Sequence, residues 1–276
     1  MGHFTGMSKL LVPLDGSDAS IRAVPVAVRL AGRLGLRVQL FRLVGDDDEV
    51  DRAQAYLDGI ATDHLNGGVA DCLVEVGDDP VAAIVAAAAA DAIPCMGTAA
   101  SVRFHQGHFG SVAEGVVRQL ARPMFLVGPE MKPAPGASTQ KIVVPVDDSK
   151  LSESALPVGV ALAEAFGVPL WIVSVASPRH EASIGRGSEL VVGHSRYVHN
   201  LAARIKRKHP DLDVEYEALH DEDPAAAIVR FVGDEGTAVM ATHGRSGLSR
   251  LVAGSVATGV VAHSKRAVVV FRPEED

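Results

Sequence analysis

The chain has 276 residues, which is long for one hydrophobic core and ordinary for two, because domains typically hold roughly 100–200 residues. Apolar residues make up 47% and charged residues 22%, a composition of globular proteins that excludes a disordered chain. The formal net charge of −8 disfavours sequence-independent binding to nucleic acid or to an anionic membrane, so neither is expected as a partner.

The first half of the chain alternates short apolar runs with segments whose apolar residues recur every three to four positions. These are the patterns of buried strands and amphipathic helices, and their alternation predicts a parallel sheet with helices on both faces. Strands are predicted at Lys9–Ser17 (which closes in turn residues), Arg37–Val44, Ala70–Val76, Ile93–Gly97 and Met124–Val127, and helices at Ala19–Leu34, from the acidic cluster Asp46–Glu49 through Leu65, at Val81–Ala90 and at Ser111–Ala121.

Residues 129–140 have the composition of a linker, and beyond them the first half is repeated. Lys141–Ser149 matches Lys9–Ser17 at a spacing of 132 residues, and Gly254-Ser255 matches Gly110-Ser111 at a spacing of 144. An insertion of about twelve residues is therefore placed at Ser177–Glu189. The sequence predicts an α/β protein of two tandem Rossmann-like domains, 1–128 and 141–276, each with a five-stranded parallel sheet and helices on both faces.

No apolar run approaches the roughly 18 residues of a spanning helix, and Met1–Gly6 lacks the order of a signal peptide. A cytoplasmic protein is therefore expected. Cys72 and Cys95 stand singly in apolar runs without metal-ligand spacing, so reduced, buried thiols are expected in place of a disulfide or a metal site.

Four features of each repeat fall at the carboxyl edge of the predicted sheet, where open α/β sheets bind ligands. The acid after the first strand can accept hydrogen bonds from ribose, and the end of the second strand can contact a base. The loop after the fourth strand and the N-terminus of the last helix can bind phosphates. The features are Asp15, Leu43-Val44, Gly97 with the loop after it, and Gly110-Ser111 in the first repeat, and Asp147, Val175-Ala176, the loop after Ala241, and Gly254-Ser255 in the second.

The two Val-Pro-x-Asp-x-Ser openings, Val12–Ser17 and Val144–Ser149, and the stretch Met-Ala-Thr-His-Gly-Arg-Ser-Gly … Gly-Ser-Val that starts at Met240 resemble the universal stress protein family in a tandem form. The resemblance covers nearly the whole chain and implies domains like those of adenine nucleotide alpha hydrolases. It also implies that the last strands of the two repeats meet across a pseudo-twofold, either within one chain as a pseudo-dimer or between chains as a homodimer.

Family members that bind ATP carry Gly-x2-Gly-x9-Gly-Ser/Thr after the fourth strand, and other members lack this motif. Each repeat of this chain lacks one glycine of it. In the first repeat alanine lies inside the loop, where it disfavours positive φ, whereas in the second it lies at the strand end, where a methyl group is tolerated. The resemblance thus favours the second repeat as the better site. The matching residues are Gly97, Ala100, Gly110 and Ser111 in the first repeat, and Ala241, Gly244, Gly254 and Ser255 in the second.

Structural interpretations of the same residues stay open. The two Gly-Ser pairs could be only a turn and a helix N-cap, and Asp15 and Asp147 could only cap the first helices. Arg245 and Arg250 could contact phosphate or lie in water. The loop histidines lack the neighbouring ligands of a metal site; they are His105, His108 and His243.

The expected function is a stress-response protein that binds ATP or a related adenine nucleotide, with or without Mg²⁺, as a regulatory signal. No nucleophile with its base can be identified, and Gly-x4-Gly-Lys-Ser/Thr is absent, so an enzyme is not expected. The alternative is a nucleotide-free stress-response scaffold that acts through protein interactions, because either site could be empty. A nucleotide-consuming enzyme ranks last.

Overall fold

The structure, a computed structural model, describes residues 4, 6–65, 70–98, 110–131, 138–176, 187–242 and 254–273. Its first half contains the predicted alternation of strands and helices, with bounds that lie within four residues of the prediction. The strands are β1 Lys9–Pro13, β2 Arg37–Val44, β3 Ala70–Val76, β4 Ala92–Gly97 and β5 Met124–Val127, and the helices are α1 Asp18–Ile21, α2 Ala23–Leu34, α3 Val50–Leu65, α4 Pro80–Ala88 and α5 Ser111–Gln119.

The second half repeats the same order. Its strands are β6 Lys141–Pro145, β7 Leu170–Ala176, β8 Val214–His220, β9 Gly236–Ala241 and β10 Val268–Phe271. Its helices are α6 Lys150–Glu153, α7 Leu156–Phe166, α8 Gly187–Lys208, α9 Pro224–Val232 and α10 Ser255–His263. The insertion predicted at Ser177–Glu189 falls mostly outside the described residues.

The single helix predicted over Ala19–Leu34 is wrong in one respect, because it is broken in two at Arg22. Proline has no N–H to donate to the carbonyl four residues earlier, and its ring crowds that carbonyl. For Pro25 that residue is Ile21, where α1 ends. The second repeat behaves in the same way, since α6 ends at Glu153, four residues before Pro157. The prolines thus set the position of both breaks.

All ten strands form one continuous sheet, in the order β3-β2-β1-β4-β5-β10-β9-β6-β7-β8. Within each repeat neighbouring strands are parallel, as predicted. At the centre β5 and β10 pair antiparallel, with Phe125 opposite Val269. The α/β class is confirmed, and the two predicted five-stranded sheets are joined into one. The last strands of the repeats therefore meet across a pseudo-twofold within this chain.

The two faces of the sheet each carry one hydrophobic cluster that extends across both repeats. One cluster packs α2, α3, α7 and α8 against the sheet through fully or almost fully buried residues such as Leu57 and Leu156. The other packs α4, α5, α9 and α10 through residues such as Val116 and Val260. Because both clusters run through the β5–β10 junction, the two repeats share their core.

The turn after the first strand of each repeat needs a left-handed residue, and the two repeats supply it differently. Gly16 has φ +88° in the first repeat, and Asp148 has φ +65° at the matching place in the second. Aspartate tolerates this region better than most residues with a side chain.

We expect Gly16→Ala to lower the free energy of unfolding by about 1–2 kcal/mol, because alanine is strained at that φ. A Cβ atom at Gly16 would make only an ordinary contact, 3.5 Å from Arg42 Nη1, so packing adds little to the cost. Urea denaturation measures the change. The matched control, Asp148→Gly, should leave stability within about 0.5 kcal/mol of the wild type or raise it. A destabilisation by Asp148→Gly as large as that by Gly16→Ala would contradict this explanation.

In the part of the chain that the structure describes, no helix combines the length and the apolar character needed to cross a membrane.

Candidate functional site

The carboxyl edge of the first repeat holds a cavity of about 390 Å³. Five of the predicted site residues line it, which places the end of β1, the end of β2, the end of β4 and the start of α5 around one space. They are Asp15, Leu43, Gly97, Gly110 and Ser111. Ala100 lies outside the described residues. The cavity is within the range of about 300–1,000 Å³ that small-molecule sites occupy.

Asp15 supports the turn that starts α1. Its Oδ1 atom accepts hydrogen bonds from the backbone N–H of Ser17, at 2.9 Å, and from the Ser17 hydroxyl, at 2.6 Å. Ser17, and not Asp15, is the N-cap residue, because its hydroxyl oxygen accepts from the N–H of Ser20. Partial burial raises the pKa of Asp15, but the hydrogen bonds from Ser17 and Ser20 outweigh it, so the net pKa lies below the ordinary value. A charged carboxylate therefore faces the edge at neutral pH.

Asp147 repeats this arrangement in the second repeat. Its Oδ1 atom accepts from the N–H of Ser149, at 3.2 Å, and from the Ser149 hydroxyl, at 2.6 Å. The Asp147 N–H donates to the hydroxyl oxygen of Ser152. Burial raises the pKa of Asp147, and the hydrogen bonds from Ser149 and Ser152 lower it further than burial raises it. The capping interpretation is thus correct in part, since each aspartate orients the serine that caps the helix.

The last helix of each repeat begins without a side-chain cap. The N-cap positions are Gly110 for α5 and Gly254 for α10, and neither makes a side-chain capping hydrogen bond. Ser111 and Ser255 are the first helical residues, and both are exposed. The interpretation of these serines as N-caps is therefore wrong. The first N–H groups of a helix and the positive end of its dipole attract anions, so each Gly-Ser pair presents an anion-binding end at the carboxyl edge.

Gly97 is required by packing. A Cβ atom built on Gly97 would lie 1.7 Å from the carbonyl oxygen of Ala19, because the start of α1 packs directly on the end of β4. The second repeat carries Ala241 at the matching place, at the end of β9, where it is partly buried. The methyl group of Ala241 is thus accommodated, as expected from the sequence. Helix packing therefore explains why residue 97 is glycine, and no ligand is needed for that explanation.

Gly110 and Gly254, the N-cap residues of α5 and α10, differ in backbone conformation. Gly110 has φ +112° and ψ 141°, a region that residues with a side chain rarely adopt. Gly254 has φ −61° and ψ 151°, which any residue adopts. Among the described residues, no atom lies within 4 Å of a Cβ atom built at either position. Neither the backbone nor the described packing therefore requires glycine at 254.

In the second repeat, the described site residues occupy the same places as their counterparts. Asp147 follows β6, Val175 lies one residue before the end of β7, Ala241 ends β9, and Gly254-Ser255 opens α10. The remaining loop residues of the sequence analysis lie outside the described residues. They are Gly244, Arg245 and Arg250, together with His105, His108 and His243.

The sequence analysis missed a second cavity, of about 300 Å³, at the end of β2, which shares Leu43 with the first. Here the guanidinium of Arg42 lies 4.7 Å from the centre of the Tyr56 ring. The buried Tyr56 hydroxyl has no hydrogen-bond partner among the described residues. A single sequence carries no signal for this pair, since Arg42 on a strand and Tyr56 on the next helix meet only through folding.

The described residues contain no group of three or more His, Cys, Asp or Glu side chains that could hold a metal ion. Both cysteines are free thiols. Burial raises the pKa of Cys95 to about 12, and burial with the neighbouring Asp58 raises that of Cys72 to about 11. Both thiols are therefore protonated and weakly nucleophilic at neutral pH, although Cys72 is only partly buried.

Comparison with known proteins identifies one family for both halves of the chain. The family model described as "Universal stress protein family" matches residues 7–128 and 138–272. A universal stress protein of Mycobacterium tuberculosis strain H37Rv is 26% identical over 170 residues, which cover 60% of this chain and 57% of that protein. The match thus spans little more than half the length of this relative.

Solved structures share the fold over the full length. A universal stress protein from Archaeoglobus fulgidus superposes with a TM-score of 0.68 at 19% identity and covers 96% of this chain and 98% of its own. A Pseudomonas aeruginosa PAO1 protein of unknown function superposes with a TM-score of 0.61 at 15% identity and covers 97% and 93%. At these identities the likeness concerns the fold alone.

Proposed function

Because the chain belongs to the universal stress protein family, we propose that it is a cytoplasmic stress-response protein that binds ATP or a related adenine nucleotide. The nucleotide lies at the carboxyl edge of the sheet, and its presence or absence is the signal. The nucleotide is not the fuel of a reaction.

The observation that carries this proposal is the cavity of about 390 Å³ in the first repeat. Within it, the charged Asp15 carboxylate can accept hydrogen bonds from ribose hydroxyls, and the apolar Leu43 offers a wall to a base. The uncapped N-terminus of α5 at Gly110-Ser111 can bind phosphate through backbone N–H groups. Asp147, Val175 and Gly254-Ser255 can take the same roles in the second repeat.

We assign the better site to the second repeat. Ala241 does not impair this site, because Gly97, the glycine at the matching position of the first repeat, is required by helix packing. Gly254 is a glycine that neither its φ nor its described neighbours require, as expected where phosphate approaches the backbone. The family motif adds Gly244 as a loop contact, whereas the first repeat has Ala100 at that position, and the neighbouring Arg245 supplies a positive charge for the phosphates. Mg²⁺ accompanies the phosphates in this proposal, and among the described residues no cluster of His, Cys, Asp or Glu side chains offers it a separate site.

The direct test is ATP titration calorimetry on the full chain, together with mass spectrometry of the purified protein under non-denaturing conditions. We expect saturable binding of ATP and a co-purified adenine nucleotide, without turnover to products. The absence of both a bound nucleotide and a binding heat at millimolar ATP would contradict the proposal. That result would favour the alternative, a nucleotide-free scaffold that acts through protein interactions.

A matched pair of glycine substitutions separates ligand contact from backbone geometry. Gly254→Ala should weaken ATP binding about tenfold, because a methyl group enters the space of the phosphates. It should cost no more than about 1 kcal/mol of stability, the difference between alanine and glycine at an N-cap. Gly110→Ala should cost about 1–2 kcal/mol more, because its φ of +112° is strained for alanine. Calorimetry and urea denaturation give the two readouts.

A Gly254→Ala variant that loses as much stability as Gly110→Ala and binds ATP normally would contradict a role of Gly254 in phosphate binding. Glycine at 254 would then serve the fold, as the scaffold alternative requires.

Assembly follows from the same architecture. The pairing of β5 with β10 already provides a pseudo-dimer inside the chain. We propose separately that two whole chains associate as a homodimer.

A further inference from the structure

A third cavity, of about 210 Å³, lies where the two repeats meet, and no part of the nucleotide proposal uses it. It opens between α2 of the first repeat, the end of α7, the linker and the starts of β9 and β10. In the second repeat this is the amino edge of the sheet, opposite to the nucleotide edge. The cavity is lined by Val26, Arg29, Leu30, Arg33, Met131, Ser138, Thr139, Phe166, Thr237, Arg266 and Ala267.

Three of these residues are arginines, and they differ in how their charge is compensated. Arg33 donates to the carbonyl oxygen of Phe166 at the end of α7, and its guanidinium lies 4.8 Å from the centre of the Phe166 ring. Arg266 is 8% exposed and lies near the carboxylates of Asp234 and Glu235. Both arginines thus have partners that offset their charge.

Arg29 has no such partner. It is partly buried, and in the described part of the chain no carboxylate or carbonyl forms a hydrogen bond or ion pair with it. Burial lowers the pKa of Arg29, and that of Arg266 is lowered by burial and by the positive charge of Arg29. The linker segment 132–137, Lys-Pro-Ala-Pro-Gly-Ala, contains no acidic side chain that could pair with it. The positive charges of Arg29 and Arg266 therefore lie near each other in the lining of one cavity and repel.

The cavity also contains a pair of buried hydroxyls. Thr139 Oγ1 and Thr237 Oγ1 are 3.0 Å apart, at 7% and 2% exposure of their residues. When one hydroxyl donates its proton to the other, the second still has a proton to donate. The lining thus offers a neutral donor in addition to the cations.

The second repeat shows that the fold does not require these arginines. Pro25 matches Pro157 and Gly35 matches Gly167, so Arg29 and Arg33 correspond to Ala161 and Ala165 on α7. Ala161 is buried in an equivalent helix that packs on the same face of the sheet. A partly buried cation has thus been placed on α2 where alanine suffices on α7.

We propose that this cavity binds a small organic acid whose oxyanion lies between Arg29 and Arg266 and whose short apolar part contacts Leu30 and Phe166. Guanidinium groups bind carboxylates through paired hydrogen bonds, and the remaining lining is mostly apolar. Because its residues come from both repeats and the linker, the ligand holds the two halves together. This site shares no lining residue with the nucleotide cavity, so the two proposals can be tested separately.

The test uses the full chain and sodium hexanoate as the probe, with acetate, inorganic phosphate and matched sodium chloride as comparisons. Thermal unfolding and calorimetry should show that hexanoate raises the melting temperature and binds more tightly than acetate or phosphate does. Arg29→Ala should weaken hexanoate binding about tenfold or more. Arg207→Ala removes the same charge from an exposed position in the last turn of α8 and should bind hexanoate as the wild type does.

Without ligand, Arg29→Ala should melt at the wild-type temperature, within about 2–4 °C, or higher, because an uncompensated cation is removed. A lower melting temperature together with unchanged hexanoate binding would show that Arg29 is structural, and would overturn the proposal. Tighter binding of phosphate than of hexanoate would contradict the apolar part of the site. Equal stabilisation by hexanoate and by sodium chloride would show that no site exists.

Discussion

Gly97→Ala should lower the free energy of unfolding by about 3 kcal/mol, at the upper end of what overpacking costs. The new Cβ atom would lie 1.7 Å from the carbonyl oxygen of Ala19 and 2.5 Å from its carbonyl carbon. Both are backbone atoms, so no side chain can rotate away, and α1 must move off the end of β4. Since Ser17, the serine that Asp15 orients, caps α1, this movement disturbs the first-repeat site as well.

Urea denaturation of the full chain measures this cost. Gly32→Ala is the matched control, because Gly32 lies in α2 and a Cβ atom added there would have no described atom within 4 Å. The same substitution should there stabilise the protein by about 0.5–1 kcal/mol. Ala241→Gly should cost no more than about 1 kcal/mol, the entropic penalty of glycine. A Gly97→Ala variant as stable as the wild type would show that α1 does not pack on β4 as described.

Ser255→Glu should weaken ATP binding by about 10- to 100-fold and do so more strongly than Ser111→Glu. Ser255 is the first residue of α10, and a carboxylate there competes with phosphate for the same N–H groups and repels its charge. The serine is exposed, and an acid in the first turn of a helix is favourable, so the fold should tolerate the change. Lost affinity would then report on the ligand and not on unfolding.

ATP titration calorimetry of both variants gives the comparison, and thermal unfolding confirms that each is folded. Ser255→Gln is the neutral control, since it has the shape of glutamate without its charge. Equal effects of the two glutamate variants would contradict the assignment of the better site to the second repeat. Unchanged affinity in both would place the phosphates elsewhere and remove the main support for the nucleotide proposal.

Local sequence patterns predicted the elements well because strand and helix periodicity depends on neighbouring residues. The repeat spacing also predicted the acid, the strand ends and the Gly-Ser pairs at one edge, and in the first repeat Asp15, Leu43 and Ser111 do line one cavity. The helix break before Pro25 and that before Pro157 were missed, although their cause is local. A proline breaks a helix four residues earlier, and the apolar pattern on either side continues across the gap.

By itself, then, the sequence determined the α/β class, the duplication and the edge that carries the candidate site. Only the tertiary structure decided why Gly97 is glycine, that β5 and β10 pair within one chain, and that Arg29 lies near Arg266 at the junction of the repeats. The physical reason is distance along the chain. Each of these contacts joins segments dozens to hundreds of residues apart. The sequence around each residue therefore does not indicate which distant residue it contacts.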